Sequence, residues 1–109
     1  MKTINKVELI GYLGQNPIIT TTAKGVKKAT LRVATHYYVK EAGDEKTLHT
    51  VWHDVVVWEK TAEQVENQYI KGSHIRIEGR LQYRTYEDRT GHVRYVTEVI
   101  AKTLMNLDR

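Results

Sequence analysis

The chain has 109 residues with 17 lysines and arginines against 13 acids, a net charge of +4; that is one domain's worth, enough for a single core and too little for two domains around an active site. It has no cysteine, which excludes disulfides and thiolate metal sites, and neither an apolar leader at the start nor a run of membrane-spanning length, so a soluble cytoplasmic protein is expected. The mild positive charge permits a polyanionic partner without requiring one, and seven tyrosines and two tryptophans with no phenylalanine suit rings that work at a wet surface.

Residues 7 to 13 alternate as a strand, with Val7, Leu9 and Leu13 on one face and Glu8, Ile10 and Tyr12 on the other. Gly11 and Gly14 interrupt the pattern and mark bends or bulges. After Gln15-Asn16-Pro17, Ile18 to Thr22 reads as a short continuation before a turn at Lys24-Gly25. Ala29, Leu31, Val33 and Thr35 then alternate inward against Lys28, Thr30, Arg32 and Ala34. Tyr37 to Lys40, the polar stretch Glu41 to Lys46 and the strand that follows predict a long hairpin around residues 37–50 with a mobile tip.

The run Val51 to Trp58 is rich in β-branched and aromatic residues and has little helical appeal. Its parity puts Val51, His53, Val55 and Val57 on one face and Trp52, Asp54, Val56 and Trp58 on the other. The two indoles therefore share a side, roughly 20 Å apart by strand rise. Val51, Val55 and Val57 already supply a core face. The tryptophans then form a second small core, a subunit contact or a surface on which bases stack.

After Trp58 the period changes: Ala62, Val65 and Tyr69 form a helical stripe, Thr61 with Gln64 matches a capping box, and Gly72 stands where a helix stops. Ile75, Ile77, Gly79, Leu81 and Tyr83 next alternate with Arg76, Glu78, Arg80, Gln82 and Arg84. Glu87 to Gly91 is turn chemistry, and a last strand covers Val93 to Ala101 with Val93, Tyr95 and Val99 on one side. Five short antiparallel strands with one helix between the third and fourth predict an all-β fold, a five-stranded Greek-key OB-fold barrel filling residues 1–109 as a single domain. The glycines at 11 and 79 suit barrel bends.

By parity, Arg32, Trp52, Trp58, Arg76, Arg80, Arg84 and Tyr86 all lie on the non-core side of their strands. Aromatics interleaved with cations suit an unpaired nucleic acid strand, since rings stack on any base and cations follow the phosphates. Catalysis is not expected, because no paired carboxylates converge and Gly11 to Gly14 lacks the Lys-Ser/Thr of a phosphate loop. No metal or cofactor is expected either: His49 and His53 share a face but lack a third ligand.

Residues 5–17 (NKVELIGYLGQNP), Thr50-Val51-Trp52-His53, Trp58-Glu59-Lys60, Tyr69 to Ser73, Ile77 to Leu81 and Arg94 to Val99 closely resemble bacterial single-stranded DNA-binding proteins, in register over about residues 4–107. The resemblance implies an OB-fold homotetramer that binds single-stranded DNA without sequence preference and protects it during replication, recombination and repair. It also implies stacking by Trp52, Trp58 and Tyr86, with Tyr38 or, in the neighbouring register, Tyr37. Phosphate contacts carry over onto Lys6, Lys60, Lys71 and Arg84, while Arg32, Arg76 and Arg80 join them by face. His53 matches a subunit-interface histidine. Val7 and Leu9 belong to a strand, residues 6–13, read as an edge open to pairing with a second copy.

Two features depart from the family pattern. Asp54 stands where a basic residue is common, and the sequence ends at Asn106-Leu107-Asp108-Arg109 without the family's Gly/Pro/Gln-rich linker and acidic tip. It is read as a trimmed or short natural form with no tail-mediated partners. Two other roles fit the same fold: a tail-less, dimeric accessory OB protein similar to primosomal replication protein N, and an RNA-binding OB module.

Overall fold

The computed structural model describes residues 1–43 and 45–108. In chain order the elements are β1 (Val7–Leu13), β2 (Ile18–Thr21), β3 (Lys27–Lys40), β4 (Lys46–Trp58), α1 (Glu59–Gln68), β5 (His74–Glu87) and β6 (Val93–Asn106). The sheet runs β1-β5-β6-β4-β3 and closes through a β1–β3 contact, with β2 an appendage on β3. It is the expected OB-fold: a closed five-stranded barrel with its one helix between the third and fourth barrel strands. One pairing is not antiparallel. β4 and β6 run parallel, Val55 opposite Val99 and Val56 opposite Ile100, because a closed ring of five strands cannot alternate direction at every pairing.

Inward-facing aliphatics fill the barrel: Leu13, Leu31, Val33, Val55, Val57, Ile75, Ile77 and Val99 are all buried. Ala62, Val65 and Tyr69 of the helical stripe join the same core and close one end of it. The expected capping box does not form. Trp58 is the helix N-cap and makes no side-chain cap bond, since the chain turns into the helix one residue later at Glu59, which takes a left-handed φ of 52°. That turn sets Trp58 at the corner between strand and helix. Gly72 (φ 89°) serves the following turn, where its N–H bonds the Leu13 carbonyl.

Alternation predicts burial only where a strand belongs to the barrel. Val51, Tyr83, Val93 and Tyr95 have inward parity, yet they are exposed because β3–β4 and β5–β6 continue past the barrel as two free-standing hairpin arms. Val56 has outward parity and is nevertheless buried, its strand being flanked by β3 and β6. The tip of the first arm includes Asp44, and the mobility expected there falls partly outside the described residues, as does the terminal Arg109. At the second tip Asp88 accepts bonds from the Thr90 hydroxyl, the His92 amide and the Arg94 guanidinium, and these hold its carboxyl down to about 2.

Two glycines permit closure. A Cβ on Gly11 would collide with the Ala34 carbonyl, and one on Gly79 with the Ile100 carbonyl. Gly79 also marks a bulge: it faces Ala101 while Glu78 faces Thr103, which leaves Lys102 as the extra residue. Both crossings are backbone against backbone, so neither can yield by a rotamer change. Gly11→Ala and Gly79→Ala should each lower stability by about 1–3 kcal/mol in urea denaturation, with an unchanged m-value.

Candidate nucleic-acid interface

The outer wall formed by β3, β4, β6 and β5 carries the expected rings. Trp52 lies opposite Ala34, and its indole covers Gly14, where a Cβ would clash with the ring. The Arg32 guanidinium stands 5.3 Å from that ring centroid and 4.0 Å from the Asp54 carboxylate. Trp58 lies opposite Lys28, whose Nζ is 5.4 Å from its ring. Trp52 is 48 % exposed and Trp58 40 %, so both indoles offer surface to solvent. Each presents an exposed ring with a cation beside it.

On the β5–β6 arm, Tyr86 is 48 % exposed with the Arg84 guanidinium 6.0 Å from its ring. Arg84 also bonds Glu98 at 3.0 Å, and that carboxylate is buried. Its charge is therefore largely committed to compensating a buried anion, which costs heavily if left unpaired. Arg76 is similarly committed, bonded to Glu8 and to Glu78 on the β1–β5 wall. Lys6 stands 3.8 Å from Glu78, and among the described residues the Arg80 side chain bonds only the neutral Gln82. Lys60 at the start of α1 is exposed. Lys71 is exposed in the turn after the helix, its amide bonded to Asn16, and the neighbouring Gly72 amide ties that turn to Leu13, next to the Gly14 over which the Trp52 indole lies.

The register separates the two candidate tyrosines. Tyr38 pairs with Leu48, and four positions further along the ladder, an even number, Ala34 lies opposite Trp52, so Tyr38 shares the outer face with Trp52 and is 68 % exposed. Tyr37 lies on the opposite face, stacked on His49 at 5.3 Å.

Of the expected interface residues, Val7 and Leu9 are half-buried against the protomer's own core, and His53 Nε2 is 2.9 Å from the Thr35 hydroxyl. β1 is not a plain edge strand: it pairs with β5 along Val7–Tyr12, and with β3 at Tyr12 and Leu13. Leu13 donates toward β5 and Gly14 toward β3. By the alternation of an antiparallel ladder, the backbone groups of Glu8 and Ile10 then face the side that β3 leaves uncovered.

Two cations escaped the sequence reading. Lys28 was visible as outward-facing, but its place beside Trp58 depends on the β3–β4 register. Lys102 fell beyond the expected end of the last strand. It lines, with Asn5, Lys6, Trp58, Glu78 and Arg80, a groove of about 610 Å³.

The model of the single-strand binding protein family matches residues 4–107. A single-stranded DNA-binding protein of Rhizobium meliloti is 41% identical over 97% of this chain, and single-stranded DNA-binding protein 1 of Chlorobaculum tepidum is 36% identical over 95%. The chain spans 64% and 65% of their respective lengths. Among solved structures, a Plasmodium falciparum SSB in complex with ssDNA superposes with a TM-score of 0.88 at 28% identity, covering 99% of this chain and 98% of that one. A deletion mutant of the Thermus aquaticus single-stranded DNA binding protein gives 0.82 at 27%, covering 96% of this chain and 51% of that one. With that extent of match in sequence and architecture, the chain belongs to the single-strand binding protein family.

Proposed function

We propose that this chain binds single-stranded DNA without sequence preference, covering it during replication, recombination and repair. The observation that carries the reading is the pair of half-exposed indoles, Trp52 and Trp58, on one outer wall, each with a cation about 5 Å from its ring. Tyr38 and Tyr86 extend that surface onto the two arms. Stacking of this kind accepts any base, because every base presents a π-face. Phosphates are met by Lys28, Lys60 and Lys71, and by Arg32, with Arg84 contributing less because Glu98 holds it. The names borne by the relatives support the same reading, as does the Plasmodium neighbour described in complex with ssDNA.

We also infer assembly into a homotetramer, as the family resemblance implies. β1 offers a second copy the backbone of Glu8 and Ile10 together with the exposed side chains of Ile10 and Tyr12. A two-fold contact there would complete the ladder on both copies.

Trp52→Ala and Trp58→Ala should each weaken binding to oligo-dT by about 1–3 kcal/mol, read from fluorescence anisotropy. Unchanged affinity in the folded double variant would exclude the stacking surface. The logarithm of affinity should fall with the logarithm of salt at about −0.7 per neutralised phosphate, and a preference for RNA of the same sequence would favour an RNA-binding role instead. Solution mass should be four times 12.7 kDa, and Ile10→Pro should reduce it while sparing the β5 ladder. A dimer in the wild type would instead favour the accessory role.

A further inference from the structure

The groove beside Trp58 is larger than the one of about 240 Å³ that Trp52 lines with Asp54 and Glu98, and three cations, Lys6, Arg80 and Lys102, line it. Gly79, Ile100 and Ala101, beside the bulge, are among the residues that line it. One rim is the segment Asn5–Lys6. Asn5 fixes that segment by donating to the Leu81 carbonyl at 3.0 Å and accepting from the Leu81 amide at 2.9 Å, in the manner of an added strand residue.

The strand order puts β3 on one side of Trp58 and β6 on the other, so Lys28 approaches the indole from the first and Lys102 flanks it from the second. Among the described residues the Lys102 side chain makes no ion pair or hydrogen bond. Lys6 and Arg80 complete the rim against the single carboxylate of Glu78. A volume of about 610 Å³ is of the size that holds a small ligand.

We propose that this groove is a single-nucleotide subsite, in which one base stands against the β6 side of Trp58 and its phosphate sits among Lys6, Arg80 and Lys102. The proposal rests on the single-stranded DNA reading and adds to it. One nucleotide of the bound strand seats in this larger groove, and Lys102, the bulged residue, is its phosphate contact. The bulge matters because the extra residue lies unpaired beside Gly79, where no side chain stands in the way.

In the full chain carrying Trp52→Phe, Trp58 is the only indole and reports the groove. Titration with dTMP should quench it, with thymidine and deoxyribose 5-phosphate each binding more weakly because one lacks the anion and the other the ring. Adding Lys102→Gln should raise the dTMP dissociation constant about threefold and leave that of thymidine unchanged. It should also lower the salt slope of oligo-dT binding by about 0.7. If oligo-dT binds normally while dTMP leaves Trp58 unaffected, or while Lys102→Gln changes neither the dTMP affinity nor the slope, the subsite is refuted and the wider reading stands. If folded wild-type protein fails to bind oligo-dT, both fall together.

Discussion

Closure of the barrel is the constraint from which the surface follows. At Gly11 and Gly79 two backbones cross so closely that no side chain fits, and these crossings bring β1 against β3 and pinch β5 against β6. The small cylinder they enclose is already full of Leu, Ile and Val. Interiors of this density do not admit an indole without rearrangement. Trp52 and Trp58 are therefore held outside, not by any preference for water but because their parity and the filled interior leave no alternative.

Charge on the wall is divided between structure and ligand. Arg76 answers Glu8 and Glu78, Arg84 answers Glu98, and Arg32 is shared between Asp54 and an indole. These guanidiniums, whose planar forks suit fixed partners, serve mainly to hold the protein's own surface in place. Lys60, Lys71 and Lys102 form no side-chain ion pair among the described residues. A lysine is a compact, hydrated point charge on a flexible stem, able to follow a phosphate without dictating where the next one lies. That division suits a partner whose sequence is not to be read.

Much of this was legible in the chain. Alternation located every barrel strand, the switch to helical period at Ala62 and Val65 located the helix, and parity put both tryptophans outside. What stayed hidden depended on register or on length. Nothing in the order of residues says that Glu98 lies beneath Arg84, or that Lys28 faces Trp58, since both are cross-strand relations. Nor does alternation announce where a strand leaves the barrel, which is why Val51, Tyr83 and Tyr95 read as inward and stand in the open. The capping box failed for a local reason: the left-handed residue at 59 starts the helix before Thr61 can act as its cap. That Tyr38 and not Tyr37 shares the face of Trp52 likewise came only with the β3–β4 ladder.

The two arms have a further consequence. Beyond the barrel, each strand of an arm is hydrogen-bonded only to its own hairpin partner, so its length is uncoupled from closure. Adding or removing one residue pair at a tip would preserve the facing of everything nearer the barrel, whereas a single-residue change within the barrel would turn a core face outward. The reach of the arms can thus be adjusted in steps of a few ångströms, with the folded body left as it is.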